Sequence, residues 1–149
     1  MKHKKIIFVC TGNTCRSPMA EAALRAELKK RKIAWYTVQS AGVRATEGNP
    51  VNPLAKTVLG EEKLSLSAKF HSRPISEKLL GDAYAVICME EAQRALLPQR
   101  ENVTSFLELC GREIPDPYGQ GEEVYRATLH AICACMPVIV KKIIPEARG

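Results

Sequence analysis

Aromatic residues are scarce in this chain, with one Trp, three Phe and four Tyr among 149 residues. A nucleic-acid reader combines a concentrated basic face with stacking rings. Here lysines and arginines are spread along the whole sequence, so the net charge of +6 points to a smaller anionic target such as a phosphate group. No apolar run approaches the roughly eighteen residues of a membrane span. After the basic "MKHKK", the run "IIFVC" is too short for a signal-peptide core. The six cysteines lack the dense spacing of a small secreted scaffold. A cytoplasmic protein is expected, without membrane or nucleic-acid partners. Aspartate is nearly missing: only Asp82 and Asp116 occur, so there is no aspartate cluster for Mg²⁺. The one metal-like cluster is "HAICAC" (His130, Cys133, Cys135). Its two cysteines stand two apart in a helical pattern and face different directions, so they read as buried thiols rather than a zinc site.

Nearly half of the residues are apolar (46%), and no linker, repeat or composition break divides the chain. One domain over residues 1–149 is expected. Short apolar runs at "KKIIFVC", "WYTVQSAG", "AYAVICM" and "VTSFLEL" read as strands. Between them lie helical stretches: Pro18 to Lys30, Asn52–Pro53 through Leu59, "SEKLLGD", "EEAQRALL", and Glu122 to Ile144, the last with Pro137 expected to kink it. Strands alternating with helices predict an α/β fold: a doubly wound sheet of four parallel strands with helices on both faces, binding ligands at the carboxyl ends of the strands.

Cys10 closes the first strand, at that end. The loop Thr11, Gly12, Asn13, Thr14, Cys15 separates it from Arg16, and Gly12 and Asn13 are residue types that accept positive φ. Such a loop turns successive N–H groups inward as an anion nest, and the following helix adds its positive end. Arg16 supplies a planar fork of donors for phosphate oxygens. Electropositive sites of this kind favour the anionic form of a thiol. Ser17 is expected to donate its hydroxyl to the Cys10 sulfur and is also a natural helix cap, two compatible roles. A thiolate attacking phosphorus needs an acid for the leaving group. Asp82 precedes a strand and lies away from the ligand end, whereas Asp116, between the prolines of "IPDPYG", follows the fourth strand at the ligand end. As a bare feature Asp116 is a turn former before proline; beside the cysteine loop it reads as the acid.

In order and over the whole chain, "FVCTGNTCRSPMAE", "SAG" at 40 to 42, "GDAYAVICM" and "DPYG" closely resemble the low-molecular-weight protein tyrosine phosphatase family. The resemblance implies that Cys10 is the nucleophile, that Arg16 binds phosphate and that Asp116 is general acid, then base, in a two-step reaction without cofactor or metal. It further implies that Asn13 and Ser40 brace the loop, that Ser17 partners the thiolate, that Thr11 to Cys15 and Tyr118 line the substrate site, and that Cys15 forms a protective disulfide with Cys10. The expected partners are a phosphorylated protein and inorganic phosphate, with the enzyme a monomer.

Thr14 departs from the tyrosine-specific pattern, in which an aliphatic residue packs on the substrate ring. A bacterial branch that dephosphorylates arginine resembles this chain in having threonine there, and Gly119 replaces the family's frequent second tyrosine. Phosphoarginine is therefore the expected substrate and phosphotyrosine the alternative. Thiol-coupled arsenate reductases share the loop, but "MEEAQRALL" after Cys88 offers no partner cysteine. A phosphate-holding module without chemistry would have lost Cys10, Arg16 or Asp116, and all three are present.

Overall fold

The computed structural model describes residues 3–148. Four parallel strands, β1 (Lys4–Cys10), β2 (Tyr36–Gly42), β3 (Ala85–Cys88) and β4 (Val103–Ser105), form one sheet in the order β2-β1-β3-β4. β1 is central, which accounts for its unbroken apolar run: Ile6, Ile7, Phe8 and Val9 are all fully buried. Alternate residues feed two cores. Ile6 and Phe8 pack with helices α1 (Arg16–Lys30), α2 (Pro53–Glu61) and α6 (Glu122–Ile143). Ile7 and Val9 meet Leu80 of α3 (Glu77–Asp82), together with Leu97 and Val103. Covering both faces is what a parallel sheet requires. The chain reverses its winding between β1 and β3, so the crevice at a switch point of this topology opens beside Cys10.

The expected helices form, with local chemistry visible at their ends. Asn52 caps α2 by accepting from Leu54 N–H at 2.9 Å, and Ser76 caps α3 by accepting from Leu79 N–H at 3.1 Å. The helical reading of "EEAQRALL" shortens to α4 (Glu91–Arg94). Pro137 lies inside α6, which runs as one helix from Glu122 to Ile143. That helix is long and apolar enough to cross a membrane by length and composition, yet Leu129, Ile132 and Ile139 along it are fully buried in the core.

Three expectations are corrected. "VTSFLEL" is not one strand. β4 stops at Ser105, whose hydroxyl accepts from Glu108 N–H at 3.1 Å and starts α5 (Phe106–Cys110), which Gly111 ends at φ 78°. Ser105 and Glu108 stand at the Ser-x-x-Glu spacing that marks a helix start, and this outweighs the strand propensity of the run. β2 begins at Tyr36 rather than Trp35, because Trp35 adopts φ 74°. Helix α1 begins two residues before Pro18, at Arg16, with Cys15 as its cap residue and no side-chain cap. Proline is tolerated there because a first-turn N–H has no intrahelical acceptor.

Candidate active site

The loop between β1 and α1 is held from behind, carbonyl by carbonyl. Val43 N–H donates to Cys10 O (3.0 Å), Arg44 N–H to Thr11 O (2.9 Å) and Asn52 N–H to Thr14 O (2.9 Å). The Ser72 hydroxyl donates to Asn13 O at 2.7 Å. With the carbonyls drawn outward, the amides face in, and Asn13 N–H points at Cys10 Sγ at 3.3 Å. Among the described residues the N–H groups of Thr11, Gly12, Thr14 and Cys15 find no protein acceptor, as an anion nest requires. Asn13 adopts φ 57°, but Gly12 is not among the positive-φ residues, so only one of the two expected left-handed positions is used. Gly42 is the close-approach glycine instead. A Cβ there would lie 2.5 Å from Thr11 O and 3.0 Å from Asn13 N.

Cys10, 3% exposed, is the sulfur at the floor of a pocket of about 190 Å³ lined by Thr11, Gly12, Thr14, Cys15, Arg16, Asp116 and Tyr118. Ser17 Oγ lies 2.9 Å from Cys10 Sγ and accepts from Asn13 Nδ2 at 2.9 Å. It sits in the first turn of α1 and caps nothing, so the capping expectation is withdrawn; its hydroxyl stands within donating reach of both the sulfur and Ala41 O, the latter at 3.4 Å. The Asn13 side chain, fully buried, turns away from the pocket, and its Oδ1 accepts from Arg73 N–H at 3.0 Å. Ser40 makes no hydrogen bond to the loop itself. Its hydroxyl donates to Glu21 Oε1 at 2.6 Å, while its carbonyl accepts from Arg73 Nε at 3.2 Å. Support from Ser40 reaches the loop only through Arg73.

Arg16 is 2% exposed. Its Nη1 donates to Ile114 O at 2.8 Å and pairs with the Glu90 carboxylate. Its Nη2 lies 3.8 Å from Asp116 Oδ2. Asp116 is half-exposed, and its Oδ1 accepts from Tyr118 N–H at 3.0 Å. The turn-forming and pocket-facing readings of Asp116 are thus both realised, one on each carboxylate oxygen. Tyr118, 70% exposed, stands over the mouth.

Several residues of the site escaped sequence reasoning. Glu90, Gln93, Ser72, Arg73 and Tyr125 come from three other segments, and nothing in local spacing announces them. Gln93, 2% exposed, receives Glu90 N–H on its Oε1 at 2.6 Å and reaches Thr11 Oγ1 with Nε2 at 3.3 Å. It therefore couples the arginine's partner to the loop. Tyr125 OH stands 3.3 Å from Cys15 Sγ, and burial pushes the Cys15 thiol up from its ordinary range. Cys88 is fully buried on β3 and is pushed up to about 12 by burial, a poor setting for a thiol relay.

A sulfur beneath an N–H nest, an arginine clamped beside it and a carboxylate at the rim define a cysteine-dependent phosphoryl-transfer site. Residues 5–147 match the family described as low molecular weight phosphotyrosine protein phosphatase, and the chain belongs to that family. It is 32% identical to a protein-arginine-phosphatase of Geobacillus stearothermophilus over 95% of this chain and 97% of that protein. It is 36% identical to the low molecular weight protein-tyrosine-phosphatase Wzb of Salmonella typhi over 83% of each. The structure superimposes with a TM-score of 0.87 on a mutant of the YwlE arginine phosphatase with a phosphorylated active-site serine, at 29% identity over 97% of this chain and 98% of that one. The protein is a cysteine-dependent protein phosphatase, acting on phosphorylated proteins and releasing phosphate.

Proposed function

We propose that this phosphatase hydrolyses phosphoarginine in proteins through a phosphocysteine. The observation carrying this reading is Thr14, a polar residue, in the pocket wall, where an apolar residue would pack better on a phenol ring. Relatives named protein-arginine-phosphatase support it. In the first step the Cys10 thiolate attacks phosphorus, and the S–P bond forms as the N–P bond breaks. Asp116 gives its proton to the departing guanidine nitrogen. Inward N–H groups and Arg16 hold the three equatorial oxygens as charge builds on them. In the second step Asp116, now a carboxylate, takes a proton from water. The oxygen of that water attacks phosphorus, the S–P bond breaks, phosphate leaves and the thiolate is restored.

The site is small and open at its mouth, which fits a phosphoryl group on an extended side chain. We place the enzyme in the cytoplasm, where six free thiols suit the reducing environment, and take it to act as a monomer without nucleic-acid or membrane partners.

The test is turnover of phosphoarginine and phosphotyrosine proteins side by side, before and after Thr14→Ile. Exchanging the hydroxyl for an ethyl group adds apolar surface worth about 1 kcal/mol toward a ring and removes a hydrogen bond of similar worth toward a guanidinium. The preference should then shift roughly ten- to thirtyfold toward tyrosine. An unchanged ratio with both activities intact would make protein tyrosine phosphatase the better reading.

A further inference from the structure

The catalytic pocket sets Arg16 against Asp116, so the surplus positive charge of the chain lies elsewhere. One concentration of it lines a groove of about 660 Å³ between α1, β2 and residues 67–73. Arg25, Lys29, Lys69 and Arg73 face the single carboxylate of Glu21 there, with His3 and His71 beside them. Glu21 is already engaged, by the Ser40 hydroxyl at 2.6 Å and by Arg25 at 2.9 Å. Among the described residues Lys29 and Lys69 enter no ion pair, and both are exposed.

The floor of the groove is a sheet edge. Within the sheet β2 pairs only with β1; its other edge is bridged once, from Gly42 to Pro74, and among the described residues no strand pairs with it over Tyr36–Ser40, which leaves a template for a further extended chain. The edge is guarded: Arg25 Nη2 donates to Val38 O at 3.0 Å and Arg73 Nε donates to Ser40 O at 3.2 Å. A neutral strand arriving here meets carbonyls that are already bonded. A strand carrying carboxylates gives the two guanidinium groups stronger, charge-assisted acceptors and meets the lysines as well. We propose that this groove docks an extended acidic segment of a partner protein along the β2 edge. A nucleic acid would need free stacking faces, whereas the Tyr36 ring is engaged edge-on with Tyr84 at 5.7 Å and lies beneath Lys4.

Binding is read without turnover, so its outcome is separate from the phosphatase reading. Fluorescently labelled extended peptides, one alternating glutamate with threonine and one with glutamine in place of each glutamate, are titrated into the full chain. A labelled single-stranded oligonucleotide and vesicles containing anionic phospholipid are titrated at the same salt. The acidic peptide should bind, lose affinity with added salt and shift the amide resonances of residues 36–40 and 67–73. The double variant Lys29→Glu/Lys69→Glu should weaken it about tenfold while leaving turnover of a small phosphorylated compound and the thermal melt unchanged. The proposal is overturned if the glutamine peptide binds equally well, if the double variant binds the acidic peptide like the parent, or if oligonucleotide or vesicles bind more tightly than the peptide.

Discussion

Glu90 pairs with Arg16 through Nη1 alone, and Nε and Nη2 are left without a hydrogen-bonding protein partner among the described residues. The arginine is thus anchored at one nitrogen and open at two, with its open side toward the pocket. Burying the guanidinium without the Glu90 carboxylate would leave its charge with only the Ile114 carbonyl and the half-exposed Asp116 at 3.8 Å to compensate it.

Glu90→Gln should therefore lower kcat/KM by roughly ten- to a hundredfold, since a hydrogen bond to a charged group contributes about 1.5–3 kcal/mol. Gln93→Leu, which frees Glu90 from behind, should act in the same direction but less strongly, and Gln93→Glu should restore part of the loss. Steady-state kinetics on phosphorylated substrates, with a melt to check folding, decide this. Full activity in Glu90→Gln would mean that the charge of Glu90 is not needed to hold Arg16.

Replacing Asp116 with Asn should slow turnover by about a hundredfold or more, the loss expected of a positioned acid. The defect should shrink for leaving groups that need no proton. Equal slowing across a leaving-group series would reduce Asp116 to the turn it makes with Tyr118 N–H.

Gly42 is not strained, and its importance is distance. In Gly42→Ala the new methyl group meets backbone atoms of the catalytic loop, and overpacking of this kind costs about 1–3 kcal/mol. Phosphate affinity and turnover should both fall. Gly60→Ala is the control, since nothing lies within 4 Å of its added methyl group. Isothermal titration of inorganic phosphate reads the effect directly, and parental phosphate affinity in Gly42→Ala would show that the loop yields freely.

Oxidation by peroxide should convert Cys10 to a sulfenic acid, which the Cys15 thiolate attacks to give a disulfide and hydroxide. Because burial raises the Cys15 thiol, its thiolate fraction at neutral pH is small and grows as pH increases. Disulfide formation should accelerate accordingly between neutral and alkaline pH, and a thiol reductant should reopen the bond. Peptide mapping that finds Cys10 as sulfinic acid and Cys15 free at every pH would remove the protective role.

The strands, their parallel direction and the site's centre were legible because each rests on local pattern: a buried apolar run ending at Cys10, a five-residue loop, an arginine. Asp116 stood out as the candidate acid through rarity, with only two aspartates to choose between, and the structure places it at the pocket. What escaped was of two kinds. Ser105 and Glu108 carried a helix-start signal inside a strand-like run, and the apolar residues hid it. Glu90, Gln93, Ser72 and Arg73 reach the loop by tertiary contact, so no spacing could reveal them; Ser40, expected to brace the loop, does so one residue removed for the same reason.

The carbonyls of the catalytic loop are anchored by Val43, Arg44, Asn52 and Ser72, all within one stretch of chain that contributes no strand to the sheet and only the short α2. The catalytic loop thus behaves as a keystone held by its least reinforced neighbours. On gentle heating or in low denaturant, that stretch can detach while β1, α1 and α6 stay packed. Catalysis would then fail before circular dichroism registers any loss of helix, and saturating phosphate, by drawing the amides inward, would bring the two transitions together.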